Sequence, residues 1–251
     1  MGTTRRGRRA GGVGLAVAAG YLLGTFPTAD LVAKRASGGD VDLRSTGSGN
    51  PGGANALAVL GTAAGLQVLA GDIAKGAAAC GIGGLVAGPA GAHLAGTAAV
   101  AGHCHPVWNG FDGGKGVATS VGQCLATFPA YFPIDVAVAA GTASIPALQQ
   151  RSSTATAVSS CCWVLGGWLW SARGWRNAWG PAPSPLLPLS ALASSVLIAR
   201  RFRAAAARTA DRGSTRRACD DDGDGPGAAI ESSPASAIGS SPEMPTVGVT
   251  T

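Results

Sequence analysis

The sequence predicts an all-α polytopic membrane helix bundle of about seven spans, followed by a disordered C-terminal tail. Three observations predict it. Charged residues make up 13% of the 251 residues, about half the share usual in a soluble domain. The charges cluster at residues 5–9, at 34–44 and beyond 200. Between the clusters lie long runs of Ala, Gly, Leu and Val, whose small members let helices pack closely in lipid. The net charge of +6 comes from arginine-rich ends. Basic and aromatic residues do not interleave, so no nucleic-acid partner is expected. The six cysteines have no framework spacing, and most fall in apolar segments, where cysteine serves as a small hydrophobe.

The elements follow in order. Residues 1–12 form a basic N-terminal tail, and 13–203 form the membrane domain. The first apolar run, 13–33, is about long enough to span a bilayer. A cleaved signal peptide is the competing reading of a basic start before an apolar run. The run continues past any cleavage site, which favours a span. Residues 34–55 are a polar loop. Residues 56–101 are too long for one span and divide near Gly88-Pro89 into two helices, the first starting as an interfacial segment. Further spans are expected at 117–131, 134–149, 154–170 and 185–199. Trp163, Trp168, Trp170, Trp175 and Trp179 suit an interfacial aromatic belt. The chain then turns arginine-rich, acidic and finally Ser/Pro-rich, so 204–251 is expected to be a disordered, low-complexity tail.

Two glycine-rich loops carry the chemistry. The central one runs from Gly102 and His103 through Asp112-Gly113-Gly114-Lys115-Gly116 to Thr119. Successive glycines let backbone N–H groups converge on an anion, and Lys115 adds a positive charge. It is no nucleotide P-loop. The first Walker glycine would fall on Asn109, and Gly116 stands where the magnesium-binding hydroxyl is needed. The upstream loop, Gly47-Ser48-Gly49-Asn50-Pro51-Gly52-Gly53-Ala54-Asn55, is a second anion cradle with Arg44 beside it; ordinary turn formation is the plainer reading of the same residues. Neither Lys115 nor Arg44 has an evident salt-bridge partner in these loops. Asp72 and Lys75 lie at i and i+3 on one helix face, an ionisable pair at membrane depth. His103 suits proton transfer near neutral pH, although a helix-end histidine bonded to backbone is equally consistent. With Cys104, His105 and Asp112 it makes a poor metal site, so neither metal nor cofactor is expected.

Seven spans put both loops and the tail on one face, with Lys34, Arg35, Arg44, Lys115 and Arg151. The positive-inside rule makes that face cytoplasmic. The arginines at 5, 6, 8 and 9 oppose this, and a six-span arrangement would relieve the conflict.

Taken together, three stretches resemble the bacterial membrane acyl-phosphate:glycerol-3-phosphate acyltransferases of the PlsY type. Gly24-Thr25-Phe26-Pro27, followed by Leu31 to Lys34, is similar to the family's opening Gly-Ser-x-Pro segment. Residues 40–55 resemble its Gly-Ser-Gly-Asn-x-Gly motif, with Gly71-Asp72-Ile73-Ala74-Lys75-Gly76 at the family spacing. Residues 102–119 resemble its Gly-Gly-Lys-Gly-Val-Ala-Thr motif. The chain departs from the pattern at Ala58, where the family has Arg, and at Phe202 and Ala205, where its closing His-Arg-x-Asn-x-x-Arg has His and Asn. The resemblance implies acyl transfer from acyl phosphate to glycerol 3-phosphate, in the lipid bilayer of a bacterial cell membrane, for phospholipid biosynthesis. It assigns Gly47, Ser48, Gly49, Asn50 and Asn55 to one phosphate, and Gly113, Gly114 and Lys115 to the other. Arg44 would clamp whichever phosphate lies between. A non-catalytic relative that binds a phosphorylated lipid or metabolite, and a small-solute transporter built on Asp72 and Lys75, are the alternatives.

Overall fold

The computed structural model describes the backbone of residues 2–146 and 151–221, with side chains over 11–146 and 152–210. Contacts divide the chain into a unit Met1–Thr209, which holds everything discussed below, and a unit Ala210–Thr251. All regular structure among the described residues is helical: α1 (Gly2–Gly24), α2 (Thr28–Ser37), α3 (Gly53–Leu60), α4 (Thr62–Cys104), a 3₁₀ turn (Val107–Asn109), α5 (Val117–Thr127), α6 (Phe132–Ala143), α7 (Arg151–Arg173) and α8 (Leu186–Asp221).

Polarity is distributed inside out. Leu85 is 89% exposed and Leu165 65%, while Asp72, Gln123, Ser194 and Thr127 are buried. Water would reverse this arrangement, and hydrocarbon favours it. The interior polar groups bond to one another. Ser194 donates to Gln123 Oε1 at 2.7 Å and Gln123 Nε2 donates to Thr97 at 3.3 Å, which joins α8, α5 and α4.

The first expected span is two helices. Pro27 lacks an N–H and disfavours helix in the residue before it, so the chain breaks after Gly24 and restarts at Thr28. The Phe26 carbonyl, released from the helical ladder, accepts the Thr28 N–H at 2.9 Å and keeps a lone pair for a second donor. Above the break, α1 lies directly on α4: a Cβ at Gly20 or Gly24 would collide with the Ala95 or Ala99 backbone. This is the close packing of small residues that lipid favours.

The division expected near Gly88-Pro89 is present inside α4. Ala87 (φ −136°, ψ 17°) and Gly88 (φ 65°, ψ −157°) are non-helical, and the two arms fold back until Gly83 meets the Gly91 carbonyl. Asp72 and His103 stand the same number of residues from this break. The hairpin therefore carries them to one level.

With the arms counted separately, the seven expected spans correspond to α1, the two arms of α4, and α5 to α8. α3 is the short segment expected before the first arm. By length and composition, Gly11–Ser37 and Thr62–Asn109 suffice to cross a membrane. The helices α5 and α6 are shorter, at 11 and 12 residues. Helix α1 takes in the basic residues from Gly2 onward. Helix α8 continues to Asp221, past residue 204 where the sequence begins the tail; the four alanines at 204–207 are strong helix formers. The tail from 222 lies outside the described residues.

The aromatic belt is only partly realised. Trp163 is buried with Phe128, Tyr131 and Leu187, and Trp170 packs edge-on against Phe128. Trp168 and Trp179 are exposed. Phe128 and Tyr131 end α5 with large rings that need covering, and the nearby tryptophans of α7 cover them.

Candidate active site

A cleft opens where the α1–α2 break, the two arms of α4 and both glycine loops meet. Arg44 and Pro51 line it from the first loop, Asn109, Gly113 and Gly114 from the second. Asp72, Lys75 and His103 come from α4, and Asp30 from α2.

Arg44 is held by an acid. Its Nη1 lies 2.5 Å from Asp30 Oδ1 and its Nη2 donates to Asp30 Oδ2 at 3.2 Å. Its Nε donates to the Asp112 carbonyl at 3.3 Å, which ties the first loop to the second. Asn109 Nδ2 donates to the same Asp30 carboxylate at 3.0 Å. The expectation that Arg44 lacks a salt-bridge partner is therefore corrected. Asp30, in the first turn of α2, lies too far away in sequence for the loop itself to reveal it.

Behind Arg44 is a buried charge cluster. Lys75 Nζ lies 2.8 Å from Asp72 Oδ1, and His103 Nδ1 lies 3.6 Å from the same oxygen. Lys75 also donates to the Phe26 carbonyl at 3.1 Å, the one freed by the break before α2. The other edge of the His103 ring packs against Gly114, where a Cβ would meet Nε2. Trp108 Nε1 donates to Thr25 at 2.9 Å and Tyr21 donates to the His105 carbonyl at 2.8 Å, fixing the second loop to α1.

The second loop is built differently from the expected cradle. Gly113 N–H donates to the Cys104 carbonyl at 3.2 Å and Gly114 N–H to the His103 carbonyl at 3.1 Å. These donors are taken up by the end of α4 and do not converge on an anion. A side chain at Gly113 would strike the His103 carbonyl and Pro106, so the glycine serves close approach. The carbonyls of both glycines accept from Arg201, Gly113 O from Nη2 and Gly114 O from Nε at 3.2 Å. Arg201 Nη2 also meets Asp112 Oδ1 at 2.9 Å, and Arg208 meets that oxygen at 3.1 Å. Partial burial raises the Asp112 pKa. The Arg201 hydrogen bond and the Arg208 and Arg201 charges outweigh it, leaving the carboxyl below its ordinary 3.8.

Lys115 does not line the cleft. Its Nζ sits 4.6 Å from the Phe202 ring centroid, in cation–π contact, and desolvation lowers its pKa from 10.5.

The upstream loop is closed on itself by Asn55. Asn55 Oδ1 accepts from Ser48 N at 2.8 Å, and Nδ2 donates to the Leu43 and Thr46 carbonyls at 2.9 and 3.0 Å. Buried and fully engaged, this amide shapes the loop and has no donor left for a phosphate. Gly47 and Gly49 occupy left-handed turn positions (φ 62° and 68°), and Gly49 N–H is bonded to Thr46 O. Gly47, Ser48, Gly49 and Asn50 lie beside the cleft walls without forming them. Turn formation thus accounts for these glycines. Sequence reasoning passed over Asp30, Asn109, Arg201 and Phe202. Only the acid in an otherwise apolar α2 start offered a signal; Arg201, midway along α8, is flanked in sequence by Arg200 and Arg203 and does not stand out among them.

Fold and site define a polytopic membrane helix bundle with one charged cleft formed by two glycine loops. Comparison with known proteins identifies it further. The sequence profile of the glycerol-3-phosphate acyltransferase family matches residues 14–212, and the chain belongs to that family. The glycerol-3-phosphate acyltransferase of Exiguobacterium sibiricum is 50% identical over 113 residues, 45% of this chain and 54% of that protein. The one from Geobacillus kaustophilus is 41% identical over 145 residues, 58% and 73% of the two chains. The matched stretch thus spans about half of the first relative's length and somewhat more of the second's. The crystal structure of PlsY, an integral membrane glycerol 3-phosphate acyltransferase in its glycerol 3-phosphate form, superposes with a TM-score of 0.63. It is 29% identical, and the match covers 79% of this chain and 92% of that one. Its lysophosphatidic acid form gives 0.60.

Proposed function

We propose that this protein transfers an acyl group from acyl phosphate to glycerol 3-phosphate, giving 1-acylglycerol 3-phosphate and inorganic phosphate for phospholipid synthesis. The observation that carries this reading is the single cleft into which both glycine loops, the Arg44–Asp30 pair and the Asp72–Lys75–His103 cluster converge. The glycerol 3-phosphate and lysophosphatidic acid forms of the related PlsY correspond to one substrate and the product of the reaction.

In the reaction the C1 hydroxyl oxygen of glycerol 3-phosphate attacks the acyl carbonyl. The bond from that carbon to the phosphate oxygen breaks, and phosphate leaves with the electron pair. Acyl phosphate is already activated, so no covalent nucleophile is required, and alignment of two anions is the main demand. Arg44 supplies a charge whose geometry is fixed by Asp30 and the Asp112 carbonyl, suited to the acceptor's phosphate. Lys115, two residues before the start of α5, supplies a second charge for the donor's phosphate. The hydroxyl proton passes to the leaving phosphate or to His103. Apolar grooves lie along α7, one of them bounded by Phe202, and receive the acyl chain.

The basic residues around both loops support a cytoplasmic position for the site in a bacterial cell membrane. Reporter fusions after Asn50 and Lys115 test that orientation, and a periplasmic signal at Lys115 would refute it. The reaction itself is tested by purified protein with palmitoyl phosphate and glycerol 3-phosphate, following phosphate release. Release dependent on both substrates supports the reading. Binding of glycerol 3-phosphate with no release would identify a non-catalytic relative.

A further inference from the structure

Arg44 holds two other side chains of the cleft in place around it. Asp30 Oδ1 accepts from Arg44 Nη1, while Asp30 Oδ2 accepts from both Arg44 Nη2 at 3.2 Å and Asn109 Nδ2 at 3.0 Å. A carboxylate offers about four lone-pair sites. Three N–H groups occupy sites here, which leaves one on Oδ1. Asn109 spends its Nδ2 on Asp30, and its Oδ1 accepts from no described residue. Both side chains line the cleft. Asp30 is 32% exposed and Arg44 24%, so a molecule in the cleft can reach them.

An acid beside a phosphate-binding arginine weakens its pull on an anion. Order alone does not call for that cost. The Asp112 carbonyl already braces Arg44, and Trp108 and Tyr21 already fix the second loop to α1. What Asp30 and Asn109 add is a pair of unused acceptors next to the guanidinium. Glycerol 3-phosphate brings the matching donor. Its C2 hydroxyl stands on the carbon adjoining the one that bears the phosphate. With that phosphate on the outward N–H groups of Arg44, the two acceptors lie within reach of the C2 hydroxyl. The C1 hydroxyl, one carbon further from the phosphate, is left free to meet the acyl carbonyl.

Resting on the acyl-transfer reading above, we propose that Asn109 Oδ1, with Asp30 Oδ1 beside it, accepts the C2 hydroxyl of glycerol 3-phosphate and sets the specificity for the acyl acceptor. An acceptor without that hydroxyl takes water away from both oxygens and returns no hydrogen bond, which the site penalises. Asn109 thus selects the substrate and takes no part in bond breaking.

The test supplies the purified full-length protein with palmitoyl phosphate and one of two acceptors, glycerol 3-phosphate or 3-hydroxypropyl phosphate. The second keeps the phosphate and the reacting hydroxyl but has hydrogen in place of the C2 hydroxyl. Phosphate release gives kcat/KM for each. The wild type should favour glycerol 3-phosphate by at least about tenfold. Asn109→Leu, which removes the oxygen, should narrow that preference by roughly five- to tenfold, through a loss confined to glycerol 3-phosphate. Asn109→Ala should narrow it equally if the leucine variant does not insert. A wild type that uses both acceptors equally overturns the proposal. So does an inserted variant with an unchanged ratio, because a merely structural role, or a contact with C1, lowers both rates together. Should neither variant insert, the wild-type ratio decides. No release with glycerol 3-phosphate itself would refute the acyl-transfer reading, and this proposal with it.

Discussion

Lys115 Nζ stands 4.6 Å from the centroid of the Phe202 ring, outside the cleft that holds Arg44. The family pattern has a histidine at the Phe202 position. Here an aromatic face restrains the ammonium beside the apolar groove that Phe202 bounds. Removal of the charge by Lys115→Ala should lower acyl transfer about a hundredfold, with normal insertion. Phe202→Leu removes only the restraint and should cost two- to fivefold in kcat/KM, in line with a cation–π contact of roughly 0.5–1 kcal/mol. Steady-state kinetics on both variants checks the order. Equal losses would show that Phe202 does more than hold the lysine.

Arg44 bridges Asp30 and the Asp112 carbonyl with three separate N–H groups. A lysine cannot reproduce that fork. Arg44→Lys should therefore lose at least about tenfold in kcat/KM for glycerol 3-phosphate. The stability cost should stay near 1 kcal/mol, because the ion pair is partly solvated. Thermal melting in detergent beside the kinetics separates the two effects.

The Asp72–Lys75 pair is buried beside His103. Asp72→Asn leaves Lys75 without a counter-charge and should destabilise the protein by about 3–5 kcal/mol. Asp72→Asn with Lys75→Met removes both charges and should recover part of that loss. A double variant less stable than the single one would contradict the pairing.

Arg201 anchors the second loop through two carbonyls and the Asp112 carboxylate. Arg201→Ala strands those acceptors and should cost about 2–3 kcal/mol, with a matching loss of turnover. Asp112 adds a pH dependence. Its pKa is lowered on folding, so its contribution is complete above the ordinary 3.8 and is lost as pH falls through the lower folded value. Hydrogen-exchange protection of the Gly113 and Gly114 amides, taken relative to the intrinsic rate at each pH, should be full at neutral pH and be lost only below the ordinary 3.8. Asp112→Asn should remove that transition.

Much of this was legible beforehand, for identifiable reasons. The Gly88-Pro89 break, the short segment before the first arm and the Asp72–Lys75 face follow from rules that act within a few residues. The cleft needed partners distant in sequence. Asp30 meets Arg44 only after α2 folds back, and Arg201 meets Gly113 only once α8 returns to the loop. Glycines suggested N–H donors because glycine permits such turns. The structure uses Gly113 and Gly114 for a different property of the residue, the absence of a Cβ against His103 and Pro106. Composition alone does not tell these two uses apart. Similarly, tryptophans near a span end suit both a lipid interface and a core, and Phe128 and Tyr131 decided for Trp163.

The hairpin in α4 has a consequence for how this chain can vary in length. One residue added to either arm would advance everything beyond it by about 1.5 Å and rotate it by roughly 100°. Asp72 and His103 would then face different neighbours. Insertions and deletions between them are tolerated only at the turn, or as matched changes in both arms. The stretch from 72 to 103 should accordingly keep a nearly constant length in any working homologue, however freely its Ala, Gly and Leu residues exchange.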